Sequence, residues 1–241
     1  MQLENILNKG VYTIAEASTL TGVPKKSFYN WVQSYKNFKA KYSNEQLRHF
    51  WNPDFIDFDG GILLTFRDIM EARFVNMFRK YNIPFKRIAS AASYLSLELK
   101  VMSPFSSRIF ETEGIKILVF NDENKTRLDT HTKQFLLPDM DFLMKPERIE
   151  AIKRDATILI DGIEYDEKGT PVLWKPCPND FPDITIRPGL HTGKPTIDNL
   201  SVSTLVMQYE LENDFQEIAK AYDTRPEFVQ QAYEFSRRVI Q

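Results

Sequence analysis

Three residues, Gly22, Val23 and Pro24, separate two short amphipathic runs and constrain the fold more than any other stretch of the chain. Glycine takes the left-handed backbone that a sharp turn between helices needs, the valine can drop into a core, and proline presets the first turn of the next helix. Ahead of the turn, Ile14, Ala17 and Leu20 fall on one helical face, with Thr13 placed to cap it. Behind the turn, Phe28, Trp31 and Val32 face inward. The opposite face is left with Lys25, Lys26, Tyr29, Asn30 and Gln33, a cationic and hydrogen-bonding set suited to phosphates and to base edges in a major groove. Ser27 and Lys36 complete the candidate DNA-contact residues.

The next elements extend that expectation. Lys36 to Arg48 is basic and interleaved with aromatic residues, and Phe55 to Phe66 alternates about Asp59-Gly60-Gly61, which predicts a hairpin. A hairpin directly after a helix-turn-helix is a wing, an element that lies along the phosphate backbone. Thr65 then caps a helix through Ile69, Ala72, Phe74, Val75 and Phe78, closing near Asn82, and Pro84 opens another through Ile88, Ala91, Ala92, Leu95 and Leu99. Arg67, Arg73, Arg79, Lys80, Lys86 and Arg87 on this pair could meet phosphates or form a solvated face, with equal weight on each.

Charge is distributed unevenly although the formal net is only −2. Residues 1–100 hold 14 Lys and Arg against 9 Asp and Glu, while residues 101–241 hold 17 against 24. A basic reading module joined to a partner-binding module has this asymmetry. With 241 residues, 42% of them hydrophobic, the chain can bury a substantial core. No apolar run approaches the length of a membrane helix and the first residues lack the pattern of a signal peptide, so a cytoplasmic location is expected. One cysteine, Cys177, excludes an internal disulfide and a cysteine-cluster zinc site, and no metal or cofactor is expected.

From Ser103 the pattern changes to short extended runs at residues 108–110, 115–120, 157–160, 163–165 and 171–174, with Asp166 to Gly169 as a hairpin turn and a helix between Pro146 and Lys153. Phe105, Phe110, Phe120, Phe135, Phe142 and Trp174 read as ordinary core in preference to a ligand pocket. A strand at 184–186 and a loop through Ile197 then lead to three helices, Val202 to Tyr209, Phe215 to Tyr222 and Pro226 to Ile240. The last two form a second helix-turn-helix arrangement, but residues 209–241 hold 4 Lys and Arg against 7 Asp and Glu, a surface better suited to assembly or a protein partner than to phosphates. The expected fold is α+β and mostly helical: a winged helix-turn-helix over residues 10–100, an α+β platform over 101–182, and a helical domain over 183–241.

No catalytic constellation emerges, and an enzyme is not expected. His49, His131 and His191 share no metal-ligand spacing. Gly193-Lys194-Pro195-Thr196 is not a phosphate loop, because Pro188 occupies the position of that motif's first glycine. Asp139, Asp141, Glu147 and Glu150 read as solvated carboxylates in a segment broken by Pro138 and Pro146.

Two family resemblances sharpen these expectations. Ile14, Glu16, Leu20-Thr21-Gly22-Val23, Trp31 and Phe66-Arg67-Asp68-Ile69 resemble the winged helix-turn-helix of MerR-like transcription regulators, with Tyr29 where that family carries a DNA-contacting arginine. Pro188-Gly189, Gly193 to Ile197 and the pattern Ile218-Ala219, Tyr222, Val229, Ala232, Tyr233-Glu234-Phe235 resemble a domain of unknown function found in many VapB-type antitoxins. The pair together implies a homodimeric antitoxin that binds its own double-stranded DNA operator as a repressor and neutralises a PIN-domain ribonuclease toxin. The alternative is a MerR-like, ligand-sensing transcription regulator unrelated to a toxin. Arg237 and Arg238 could reach a ribonuclease active site, although a solvated helix end is the stronger expectation.

Overall fold

A cap at each end bounds the first helix. In the computed structural model, which describes residues 8–41, 54, 56–58, 61–85, 88, 92, 96, 103–108 and 146–240, strand β1 (Val11–Thr13) runs directly into helix α1 (Ile14–Thr21), and Gly22 to Pro24 lead to α2 (Lys25–Lys41). Strands β2 (Ile56–Phe58) and β3 (Gly61–Thr65) form an antiparallel hairpin whose register pairs Phe58 with Gly61. β1 adds to the other side of β3, with Tyr12 opposite Leu64, giving the order β1-β3-β2. Three residues of β1 carry too little alternation to be predicted, and Thr13 reads from sequence only as a helix cap.

Helix α3 (Phe66–Lys80) is the centre of the molecule. Its Thr65 cap closes a box with Asp68, and burial extends around most of its circumference. A surface helix buries one stripe; one buried nearly all round must be packed by several neighbours. Those neighbours include α1, β3 and α4 (Pro146–Ile160). Phe85, Ile88, Ala92 and Ser96 are helical at three- and four-residue spacings, with Ile88 and Ala92 buried, as expected for the helix opened by Pro84.

The extended run expected at 157–160 is instead the end of α4. Thr157, Ile158 and Ile160 favour a strand by their branching, but Ile152, Ala156 and Ile160 recur every four residues and are buried together. Burial of that face outweighs the local preference. Hairpin strands β4 (Ile163–Tyr165) and β5 (Pro171–Trp174) follow as expected, joined through Asp166, whose carboxylate accepts from the Lys168 and Thr170 amides.

Trp174 pairs with Ile186 and Thr185 with Thr196, so the strand expected at 184–186 is reduced to two bridges that tie β5 to the following hairpin. That hairpin consists of β6 (Thr196–Ile197) and β7 (Leu200–Ser201), turning through Asp198 and Asn199 with φ of 50° and 62°. Helices α5 (Val202–Glu212), α6 (Phe215–Ala221) and α7 (Pro226–Phe235) end the fold, and a π-helical turn, Ser236–Ile240, packs against α1. One buried hydrophobic cluster includes Tyr12, Val23, Phe74, Trp174, Ile197 and Phe235.

The architecture is therefore α+β and mostly helical. Among the described residues, no helix is long and apolar enough to cross a membrane. Several expectations lie outside the described residues: the basic run past Lys41, the turn residues Asp59 and Gly60, the extended runs at 109–110 and 115–120, Ala91, Leu95, Leu99, Lys86, Arg87, His49, His131, Asp139, Asp141, and Phe110, Phe120, Phe135 and Phe142.

Candidate nucleic-acid interface

The exposed face of α2 is set by the turn that precedes it. Thr13 Oγ1 accepts from the Glu16 amide at 3.2 Å while Glu16 Oε2 accepts from the Thr13 amide at 2.8 Å, a reciprocal box that satisfies two otherwise orphan donors of α1. At the other end Gly22 adopts φ 67° and its amide donates to the Ser18 carbonyl at 2.9 Å. Thr21 Oγ1 donates to the Ala17 carbonyl at 2.6 Å and accepts from the Val23 amide at 3.2 Å, which turns Val23 fully inward. The Pro24 carbonyl then accepts from the Ser27 amide at 2.8 Å, starting α2.

Phe28, Trp31 and Val32 are buried, with Phe28 and Trp31 edge to face at 5.5 Å and Trp31 stacked on Phe85 at 6.4 Å. These anchors fix the helix in rotation. Lys25, Lys26, Tyr29, Asn30 and Gln33 are consequently exposed, Tyr29 to 55%, and lie together on the outer face. Ser27 and Lys36 sit at its half-buried margins. Lys25 and Lys26 occupy the first turn of α2, where no acidic residue is present. Cations there oppose the helix dipole, whereas a phosphate would gain from both the lysines and the positive end of that dipole.

Of the cations of α3, Arg73 is withdrawn from the surface. Arg73 is 8% exposed, with its guanidinium 4.4 Å above the Trp174 ring and Nη1 3.7 Å from Met70 Sδ. It is neither a phosphate contact nor part of a solvated face, because α4 and β5 cover the side of α3 that sequence left open. Burial pushes its guanidinium down to about 10, with the Tyr165 phenol opposing that shift, so it remains cationic at neutral pH. Arg67 lies 3.6 Å from Asp54, and Arg79 Nη1 donates to the Ile83 carbonyl at 2.8 Å. Lys80 stays exposed.

The second helix pair, α6 and α7, has its own capped turn and carries more acidic than basic residues. Asp214 caps α6 through the Gln216 and Glu217 amides, Asp223 takes φ 51°, and Pro226 starts α7. Glu227 and Gln230 are exposed on α7, and Arg225 stacks over Phe228 at 3.7 Å. Arg237 and Arg238 are exposed, the latter 4.0 Å from Glu234.

A joint between the two ends of the chain escaped sequence inspection. Tyr12 donates its hydroxyl to the Gly193 carbonyl at 2.5 Å, and Lys194 Nζ binds Glu16 Oε1 at 2.6 Å and the Val11 carbonyl at 3.1 Å. Burial raises the Glu16 carboxyl, but its bonds from Lys194 and Thr13 outweigh that and hold it below the usual range. The Gly193-Lys194 run therefore docks on β1 and α1. Its local signal, glycine then lysine, carries no information about a partner so distant in sequence. His191 Nε2 lies 2.9 Å from the Asn199 carbonyl, and among the described residues no group of three His, Cys, Asp or Glu could hold a metal ion.

No protein-family model matches the chain, and no curated protein matches it. Among solved structures it is similar to the X-ray crystal structure of Rv2018 from Mycobacterium tuberculosis, with a TM-score of 0.62 over 92% of this chain and 95% of that one. At 17% sequence identity the likeness shows a shared fold.

Proposed function

We propose that this protein is a DNA-binding antitoxin that represses its own operon and neutralises a PIN-domain ribonuclease. The observation that carries the DNA-binding half is the outer face of α2, where Lys25, Lys26, Tyr29, Asn30 and Gln33 stand together on a helix locked by Phe28, Trp31 and Val32. In this reading β1, α1, α2 and the β2–β3 hairpin form a winged helix-turn-helix. The start of α2 enters a major groove, with its two lysines at phosphates and with Tyr29 and Asn30 toward base edges. A twofold-symmetric dimer would place two copies of α2 in successive grooves. The antitoxin half rests on the resemblance of residues 183–238 to an antitoxin-associated domain, and the acidic balance of α5 to α7 suits a protein partner better than a second DNA contact.

Co-purification with the product of the adjacent gene, followed by binding of each species to the shared promoter, tests both halves. A tight complex with a ribonuclease that also shifts promoter DNA is the expected result. A promoter shift without a partner, abolished by a small molecule, would favour a ligand-sensing regulator. Finding no partner and no promoter shift would overturn the proposal.

A further inference from the structure

The outermost line of α5 is apolar. Val202, Leu205 and Val206 bury one side of this helix, and Met207 and Leu211, one turn apart on the opposite side, are 54% and 75% exposed. A surface helix ordinarily presents charge along that line. Here the charge flanks it along the chain: Glu210 and Glu212 of α5 and Asp214 just after it are exposed, and the next cation after Leu211 is Lys220 on α6.

This combination narrows the class of partner. Glu210, Glu212 and Asp214 beside the ridge disfavour a nucleic acid backbone and an anionic lipid surface. They also disfavour a second copy of this chain packed α5 against α5, which would bring Glu210 and Glu212 of both copies to one interface. A protein offering an apolar groove bordered by lysines or arginines satisfies both components, since the ridge would enter the groove as an amphipathic helix does and the acidic border would meet opposite charge. We infer that the Met207–Leu211 ridge of α5, with its acidic border, is the docking surface for a basic-rimmed apolar groove on a protein partner. This rests on the antitoxin proposal, in which that partner is the ribonuclease.

The test measures binding of the full-length protein to the ribonuclease encoded beside it, by calorimetry at several salt concentrations. Leu211→Asp and Met207→Asp should each weaken binding at least about tenfold, as expected for anchors at the centre of an interface. Glu210→Lys with Glu212→Lys should weaken it and reduce its salt dependence. Unchanged melting temperature and promoter binding of Leu211→Asp would show that the fold is intact; if that variant misfolds, the double charge reversal carries the same test. Variant affinities within about twofold of the parent would overturn the surface while leaving the antitoxin proposal standing. Dissociation of a parent dimer by Leu211→Asp, with ribonuclease binding retained, would also overturn it, assigning the ridge to a second copy. Absence of any parent–ribonuclease complex would remove the antitoxin proposal and this surface with it.

Discussion

Lys26 and Asn30 lie one helical turn apart on α2, exposed on the same face, but their chemistry differs. An ammonium contributes a diffuse attraction for phosphate, whereas a carboxamide can pair two groups on a base edge. Lys26→Ala should weaken binding to every DNA sequence and lower the salt slope by about one, while Asn30→Ala should relax preference at about one base pair. Anisotropy titrations against promoter and scrambled duplexes at three salt concentrations separate the two; parent-like binding by both variants would refute the reading face. Glu71 on α3 shows a different residue-scale effect. Its Oε1 accepts from the Ser106 amide and hydroxyl, both at 2.7 Å, while Oε2 is buried with no hydrogen-bond partner among the described residues. Burial pushes this carboxyl up to about 7, outweighing the Ser106 bonds and the Arg67 charge. With the folded value above the unfolded one, the native state binds the extra proton. That stability is fully present below about pH 4.5 and lost as pH rises through 7, roughly 3 kcal/mol across the window. Buried Asp68 shifts in the same direction. Urea melts from pH 5 to 8 should therefore show parent stability declining, and Glu71→Gln should decline less steeply.

Both α1 and α3 begin with a threonine capping box, but the two boxes differ in burial. Thr13 and Glu16 sit in an exposed box, whereas Thr65 is buried and its hydroxyl bonds a fully buried Asp68 carboxylate at 3.0 Å. Thr13→Ala should cost about 1 kcal/mol; Thr65→Ala should cost more, roughly 2 kcal/mol, because water cannot replace the lost bond to Asp68. Equal losses in urea melts would show that burial does not matter at these caps. The caps, the Gly22 turn and the inward Phe28, Trp31 and Val32 were legible in sequence, because each signal is contained within a few residues. The exposed set on α2 followed from them by elimination. Arg73 and the last turn of α4 were not legible. Whether a cation faces water, or a β-branched run becomes helix, depends on the elements that cover it, and Trp174 lies about a hundred positions beyond Arg73 in sequence.

At the scale of the molecule, β1 joins the two ends alongside the packing of α1 against the π-helical turn. It pairs with β3, leads into α1, and receives the loop at Gly193 through the Tyr12 hydroxyl and Lys194. In the proposed function, a partner on the carboxy-terminal helices would be connected to α1 and α2 through this short joint, whose Tyr12–Gly193 hydrogen bond is buried. Gly193 permits that joint. Its φ is 82°, and a Cβ there would meet the Tyr12 hydroxyl oxygen at 2.4 Å and Gly10 Cα at 2.8 Å. The left-handed backbone alone penalises a side chain by about 1 kcal/mol or more, and the contacts with Tyr12 and Gly10 add to it. Gly193→Ala should therefore destabilise the protein by roughly 2 to 4 kcal/mol. Tyr12→Phe removes the nearest obstacle but also the buried hydrogen bond, costing about 1 kcal/mol alone. In the double variant the two losses should be less than additive, since the alanine methyl then occupies space that the hydroxyl had filled, while the backbone strain and the Gly10 contact persist. A denaturant double-mutant cycle measures that coupling. Strict additivity would mean that the loop and β1 are not in register as described, and the connection between the two ends would have to run through the π-helical turn against α1.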